Sequence, residues 1–386
     1  MSEVRIPLAV PSLGGNAAGY LRECVETNFV SSVGPMVSRF ETEFAAHVAS
    51  RRAVACVNGT AALQVALRVA GVRPGDDVLV SDFSFIATVN PIVYLGARPV
   101  LVDADETTWN LSPALVIEEL DRRARVGARM PAAVLAAHIL GLPADLAPIV
   151  RACAAYGIPL IEDAAEALGA SYVTGPLAGQ QVGAVGTLGC YSFNGNKIIT
   201  TGGGGMIVTR DAALADRAKH LTTQARLPGP DYLHDEIGYN YRLTNLAAAL
   251  GVSQLELLDA FVARKRAIAD AYDAALREVP GVTLPPRPHW AAPSFWLYSI
   301  LVDPARAPVG RRAVQERLRA VGIETRSLWV PAHEMPFYRD VPRLGGTVGE
   351  RFFAQGLSLP CSVALSEAEQ AEVIEAITDA LSSGMR

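Results

Sequence analysis

From residue 53 onward the chain alternates short aliphatic, β-branched runs with longer helical patterns, and this alternation constrains the fold more than any other feature. Residues 53–57, 77–81, 99–102, 131–137 and 159–162 read as strands, with helices over 60–70, 85–95 and 146–156 between them. Strands joined by helical crossovers pair in parallel and are covered by helices on both faces. The expected architecture is therefore α/β, around a mainly parallel central sheet. Two further strands, 187–193 and 205–209, flank a glycine-rich turn, and a helix over 211–220 follows. Residues 245–276 read as one long helix, too long for an ordinary crossover and suited to linking domains. After it, PGVTLPPRPHWAAPS breaks the pattern. FWLYSILVD, a helix near 311–321, GIETRSLW and a terminal helix from Ser366 then read as a small α+β unit. The expected division is a large α/β domain over 1–250 and a small C-terminal domain over 251–386.

Composition narrows the function classes. Thirty-four Lys+Arg against 39 Asp+Glu give a net charge of −5, with no basic stripe, which argues against a nucleic-acid surface. Half of the residues are hydrophobic, so disorder is excluded. The five cysteines are scattered and never form C-x-x-C, which suggests neither a disulfide framework nor a zinc site. MSEVRIPLAVPSLGG shows no leader pattern, and no apolar run approaches the roughly 18 residues of a membrane span. A soluble, reduced, cytoplasmic protein with no membrane partner is expected.

Charge is also distributed unevenly. Between Glu166 and Arg210 the only Asp, Glu, Lys or Arg is Lys197. An amine among neutral groups loses solvation in its charged form, which favours the nucleophilic free amine. Ligands of open α/β sheets sit at the carboxyl ends of the strands, so the residues there bear on its role. Asn58-Gly59-Thr60-Ala61 opens directly into a helix, and such an N-terminus suits a phosphate; ordinary capping is the alternative. Asp163 ends the strand PLIE. It either caps a following helix or meets a cationic ring nitrogen, and the second role requires a Schiff-base lysine elsewhere. Lys197 is such a lysine, and the glycine run 202–205 beyond it permits close backbone approach to a ligand. There is no G-x-x-x-x-G-K-[ST], and no strand is followed by G-x-G-x-x-G, so P-loop and nicotinamide-dehydrogenase readings fail.

IEDAAEALGA, GCYSFNGNKIITTGGGGMIVT and DEIGYNYRLTNLAAALGVSQLELL, with VPSLGGN and NFVSSVGPMVSRFE near the start and HEMPFY near the end, resemble the DegT/StrS family of pyridoxal-phosphate sugar aminotransferases. The resemblance covers nearly the whole chain and implies fold type I, the aspartate aminotransferase-like fold. It implies pyridoxal 5'-phosphate as cofactor, with Lys197 forming the Schiff base and later moving the substrate proton. Asp163 would pair with the pyridine nitrogen. Phe85 would cover the cofactor, its alternative being ordinary helix core. Thr60, Ala61 and Ser192 would hold the phosphate, and Glu166 would lie near the ring hydroxyl. Asn240 resembles a residue that reaches the neighbouring subunit's phosphate, which implies a homodimer with shared active sites. Asn194 and Gly204 stand where many members carry His and Glu, which alters the pocket lining. His333 and residues 336–338 resemble a sugar-facing loop, a structural histidine being the alternative.

The wording SFNGNKIITTGGGGM and the opening VSSVGPMV are most like the subgroup that aminates C4 of UDP-linked 4-keto-6-deoxy N-acetylamino sugars, of bacillosamine and legionaminic-acid type. The reaction so implied takes the amino group from L-glutamate and gives it to a nucleotide-sugar for surface glycan synthesis. A C3-keto, GDP- or dTDP-linked sugar and a non-catalytic regulatory protein of the same fold are the alternatives. The intact set Lys197, Asp163, Ser192 and Asn240 weighs against the last, and Lys197 disfavours the dehydratase relatives, which carry His in its place.

Overall fold

The computed structural model of the protein describes residues 4–382. Its strands are β1 (Arg52–Cys56), β2 (Asp77–Ser81), β3 (Arg98–Val102), β4 (Ala133–Ala137), β5 (Leu160–Asp163), β6 (Leu188–Ser192), β7 (Gly205–Thr209), β8 (Val282–Thr283), β9 (Tyr298–Val302), β10 (Arg326–Ser327), β11 (Arg343–Leu344) and β12 (Gly356–Leu359); a two-residue pair, Ser171–Tyr172 with Ala291–Ala292, stands apart. The large sheet has the order β1-β7-β6-β5-β4-β2-β3-β11. From β6 to β11 every pairing is parallel, and β7 pairs antiparallel with both β6 and β1. The small sheet, β10-β12-β9-β8, is antiparallel throughout. β11 comes from the last part of the chain yet extends the large sheet beside β3, while Ile6 bridges Ile323 near the small sheet.

Side-chain alternation explains why the strands read as continuous apolar runs. Successive residues point to opposite faces, and both faces are buried. Val54, Val78, Val80, Leu135 and Ile207 face one core. It is shared with α3 (Gly59–Val69), α4 (Asn90–Tyr94) and α7 (Ala212–Thr222) through Leu63, Ile92 and Leu221. Ala55, Leu79, Val134, Ala136 and Val208 face the other core. There α1 (Ala17–Glu26), α2 (Pro35–His47), α5 (Pro113–Arg125), α6 (Leu146–Tyr156) and α8 (Asn245–Leu255) contribute Cys24, Phe40 and Phe44, Leu120, Ile149 and Val252. No single helix among the described residues is long and apolar enough to cross a membrane.

The expected strands and crossover helices are present, with ends displaced by a residue or two, but two helices are not as read. The span 85–95 is broken into one 3-10 turn, Ile86–Thr88, and the short α4. Pro91 explains the break, because proline lacks an N–H and fits only a helix's first turn. Phe85 is left extended and half exposed rather than in helix core. The span 245–276 is two helices, α8 and α9 (Leu258–Leu276), bent by 59°. At the corner Glu256 accepts from Asn16 at 2.8 Å, Tyr20 at 2.7 Å and Arg39 at 3.2 Å, which ties this turn to the start of the chain.

Candidate active site

At the carboxyl ends of the parallel strands lies a cavity of about 360 Å³, whose floor comes from the large sheet and whose outer wall comes from Trp296, Arg326 and Trp329. Asn58, directly after β1, caps α3 by accepting from the Ala61 N–H at 2.8 Å. A helix's first-turn N–H groups have no intrahelical acceptor. With that of Ala61 taken, those of Gly59 and Thr60, both on the cavity lining, are left for a ligand. The turn fits only because its neighbours are small. A Cβ on Gly59 would lie 2.8 Å from the Ser192 Cβ, and one on Gly205 would lie 2.5 Å from the Asn58 carbonyl carbon. The last glycine of the run therefore makes room for the cradle itself.

At the opposite end, Asp163 closes β5, almost wholly buried. Its Oδ2 accepts from the Thr88 hydroxyl at 2.7 Å and its Oδ1 from the Ala165 N–H at 3.1 Å. Residues 164–170 form turns, so the helix that Asp163 was expected to cap as its alternative role does not exist. Beside it, His138 donates its backbone N–H to the Asp163 carbonyl at 3.0 Å. The His138 Nδ1 accepts from the Ala144 N–H at 3.0 Å, so its Nε2 carries the hydrogen and donates to Glu162, also at 3.0 Å.

Between the two ends stands Lys197. Its Nζ is 3.4 Å from Glu166 Oε1 and 4.0 Å from the centre of the Trp296 ring. Glu166 is buried and accepts from the Leu140 N–H at 2.8 Å. Burial pushes its carboxyl above the ordinary range, against the opposing pull of the Lys197 charge. Trp296 is fixed at both its polar groups: the indole N–H donates to the Asn196 carbonyl at 2.6 Å, and its own carbonyl accepts from the buried Lys265 ammonium at 3.0 Å.

Of the residues singled out in the sequence, Thr60, Phe85, Asp163, Glu166, Ser192, Asn194 and Lys197 all line the cavity. Ala61, Asn240 and His333 do not. The Ala61 N–H is spent on Asn58, and Asn240 lies on an exposed segment. The His333 ring is held away by carboxylates at both nitrogens, Asp82 at 2.5 Å and Glu350 at 3.1 Å. It fastens the segment carrying Trp329 to the end of β2, where Phe83 meets the Trp329 ring edge-on. Sequence reasoning missed Thr88, His138, Trp296, Arg326 and Trp329. Each is an isolated residue without a motif, brought in by another strand or by the small sheet.

An amine in mid-cavity, a hydrogen-bonded carboxylate at one end and free N–H groups with a serine hydroxyl at the other fit pyridoxal phosphate, which needs all three. The sequence pattern of the DegT/DnrJ/EryC1/StrS aminotransferase family matches residues 11–378. The chain belongs to that family. It is 40% identical over 379 residues to EpsN of Bacillus subtilis, covering 97% of this chain and 95% of that protein. It is 36% identical over 380 residues to a GDP-perosamine synthase of Caulobacter vibrioides, covering 98% of each. Among solved structures, a DegT DnrJ EryC1 StrS aminotransferase from Brucella abortus superposes with a TM-score of 0.88 at 28% identity over 95% of both chains. The protein is thus a pyridoxal phosphate-dependent sugar aminotransferase of fold type I.

Proposed function

We propose that this aminotransferase moves the amino group of L-glutamate onto C4 of a nucleotide-linked 4-keto-6-deoxy sugar, UDP-linked and N-acetylated, for surface glycan synthesis. The observation that carries the reading is the setting of Lys197, a largely enclosed amine between Glu166 and the Trp296 ring in a cavity lined mostly by uncharged side chains. Asn58, Thr60, Ser84, Asn194 and Asn196 offer amides and hydroxyls, and Phe85, Trp296 and Trp329 offer flat apolar faces. That mixture suits a hexose. A GDP-linked sugar is the second reading, favoured by the GDP-perosamine synthase relative.

The bound cofactor supplies an electron sink for the carbon losing or gaining the amino group. Lys197 Nζ takes the proton from the donor carbon and returns one to the acceptor carbon. Asp163, its oxygens fixed by Thr88 and Ala165, would hold a proton at the ring nitrogen. The Gly59 and Thr60 N–H groups and the Ser192 hydroxyl would hold the phosphate, and Glu166 orients the Lys197 amine. Asn240 serves the cavity of a neighbouring copy in a homodimer with shared active sites. Its exposed position, on a segment where Tyr232 and Ile237 are each 80% exposed, supports that assignment. The five buried free thiols suit work in the reducing cytoplasm.

The test is a panel of UDP-, GDP- and dTDP-linked keto sugars incubated with enzyme and L-glutamate. The expected result is 2-oxoglutarate formation with a UDP-linked 4-keto sugar and its loss in Lys197→Ala. No 2-oxoglutarate with any sugar, or full turnover in the variant, would overturn the reading.

A further inference from the structure

We propose that Arg326 binds the carboxylate of the amino donor. The proposal rests on the transamination reading above. Among the residues lining the cavity only Lys197 and Arg326 carry a positive charge. Lys197 is already placed against Glu166 and the Trp296 ring, and it is the reacting amine. Arg326 has no hydrogen-bond or ion-pair partner for its side chain among the described residues. An unpartnered arginine on a surface is ordinary. This one forms part of the wall around the reacting amine.

Its direction is set by its strand. β10 pairs with β12, Arg326 opposite Ser358, and side chains alternate along a strand. The neighbours Thr325 and Ser327 line a different cavity, beside α10 (Arg311–Ala320), so Arg326 is committed to the cofactor side. Trp296 and Trp329 share the wall with it, and Arg326 itself is exposed and so open to an incoming anion.

The chemistry selects the donor. A guanidinium matches a carboxylate with two parallel hydrogen bonds. An amino acid carries its carboxylate on the very carbon whose proton Lys197 moves, so the carboxylate's anchor must stand in the same cavity as Lys197. The diphosphate of a nucleotide-sugar is separated from C4 by the sugar ring and has no such constraint. With a single free cation on the wall, this chain pairs one carboxylate of glutamate and leaves the other without a cationic partner from the lining.

The experiment follows the two half-reactions separately in wild type, Arg326→Gln and Arg326→Lys. L-Glutamate is titrated into the pyridoxal phosphate-loaded enzyme, with the cofactor absorbance followed. Enzyme preloaded with pyridoxamine phosphate is mixed with the keto sugar. In Arg326→Gln the half-saturating glutamate concentration is expected to rise roughly 10- to 100-fold, the loss of a charge-assisted pair, with partial recovery in Arg326→Lys and an unchanged sugar half-reaction. Binding of glutarate, which lacks the amine, is read from Trp296 and Trp329 fluorescence and is expected to weaken in parallel. An unchanged glutamate dependence, or a loss confined to the sugar half-reaction, would overturn the proposal, the latter assigning Arg326 to the acceptor's diphosphate. If wild type itself gives no absorbance change with glutamate, the donor reading fails first.

Discussion

Replacing Glu162 by glutamine preserves side-chain volume and removes one of its two oxygens. Glu162 is fully buried in β5, next to Asp163. Its Oε1 accepts from the Val185 N–H at 2.8 Å and the Gly186 N–H at 2.6 Å, and its Oε2 accepts from the Gly183 N–H at 2.7 Å and from His138 Nε2 at 3.0 Å. Whichever way the amide lies, its NH2 group confronts two donors. His138 cannot relieve the conflict by exchanging tautomers, because its Nδ1 is already the acceptor for Ala144. Two charge-assisted hydrogen bonds are therefore lost, at about 1.5–3 kcal/mol each, so Glu162→Gln should destabilise the protein by about 3–6 kcal/mol. That is a large share of the 5–15 kcal/mol typical of folded proteins. Urea unfolding followed by tryptophan fluorescence measures it, the expected result being a midpoint displaced downward with an unchanged slope. A loss below about 1 kcal/mol would refute the reasoning, since an unpaired buried donor alone costs more than that.

Three further outcomes follow from local geometry. Glu119 is held below the ordinary carboxyl range by hydrogen bonds from Arg122 and then Arg123, against partial burial. Its folded value lies below its unfolded one, so the native state binds fewer protons there; the stabilisation is present at neutral pH and is lost as pH falls through the folded value. Glu119→Gln should accordingly be less stable than wild type near neutrality, with the gap closing on acidification, and a pH-independent gap in urea midpoints would contradict this. Gly205→Ala places a methyl 2.5 Å from the Asn58 carbonyl carbon and 2.8 Å from the Gly59 nitrogen. It should weaken pyridoxal phosphate binding by about tenfold or more in an absorbance titration, and unchanged affinity would show that the first turn of α3 is not the phosphate cradle. All five cysteines are free and buried, burial pushing the Cys153 thiol up to about 11 and the Cys56 thiol up to about 12. An aromatic disulfide reagent at neutral pH should label them only on unfolding, and one rapidly reacting thiol would contradict that.

What could be read from the sequence was what one strand and its own turn determine. Continuous apolar runs marked the strands, and Asn58, Asp163 and Ser192 stand at strand ends, where an α/β sheet exposes polar groups to a ligand. Pro91 was visible and marks the break in 85–95, yet the apolar run outweighed it. The corner in 245–276 carries neither glycine nor proline, and it arises from Glu256 reaching Asn16, Tyr20 and Arg39 more than two hundred residues away. The same distance in sequence hides the outer wall of the site. Lys197 is the lone charge between Glu166 and Arg210 because its segment runs through β6 and β7, which are buried almost throughout. Its partners therefore come from elsewhere, Glu166 from before that segment and Trp296 from beyond α9. Trp296 in turn is held by Lys265 in the middle of α9, a buried cation that satisfies carbonyls at the junction with the small sheet. The amine and the proposed phosphate cradle thus belong to one sheet, and Trp296, Trp329 and Arg326 come with the other. No periodicity along the chain encodes how two sheets dock, so a cavity divided between them is legible only in three dimensions.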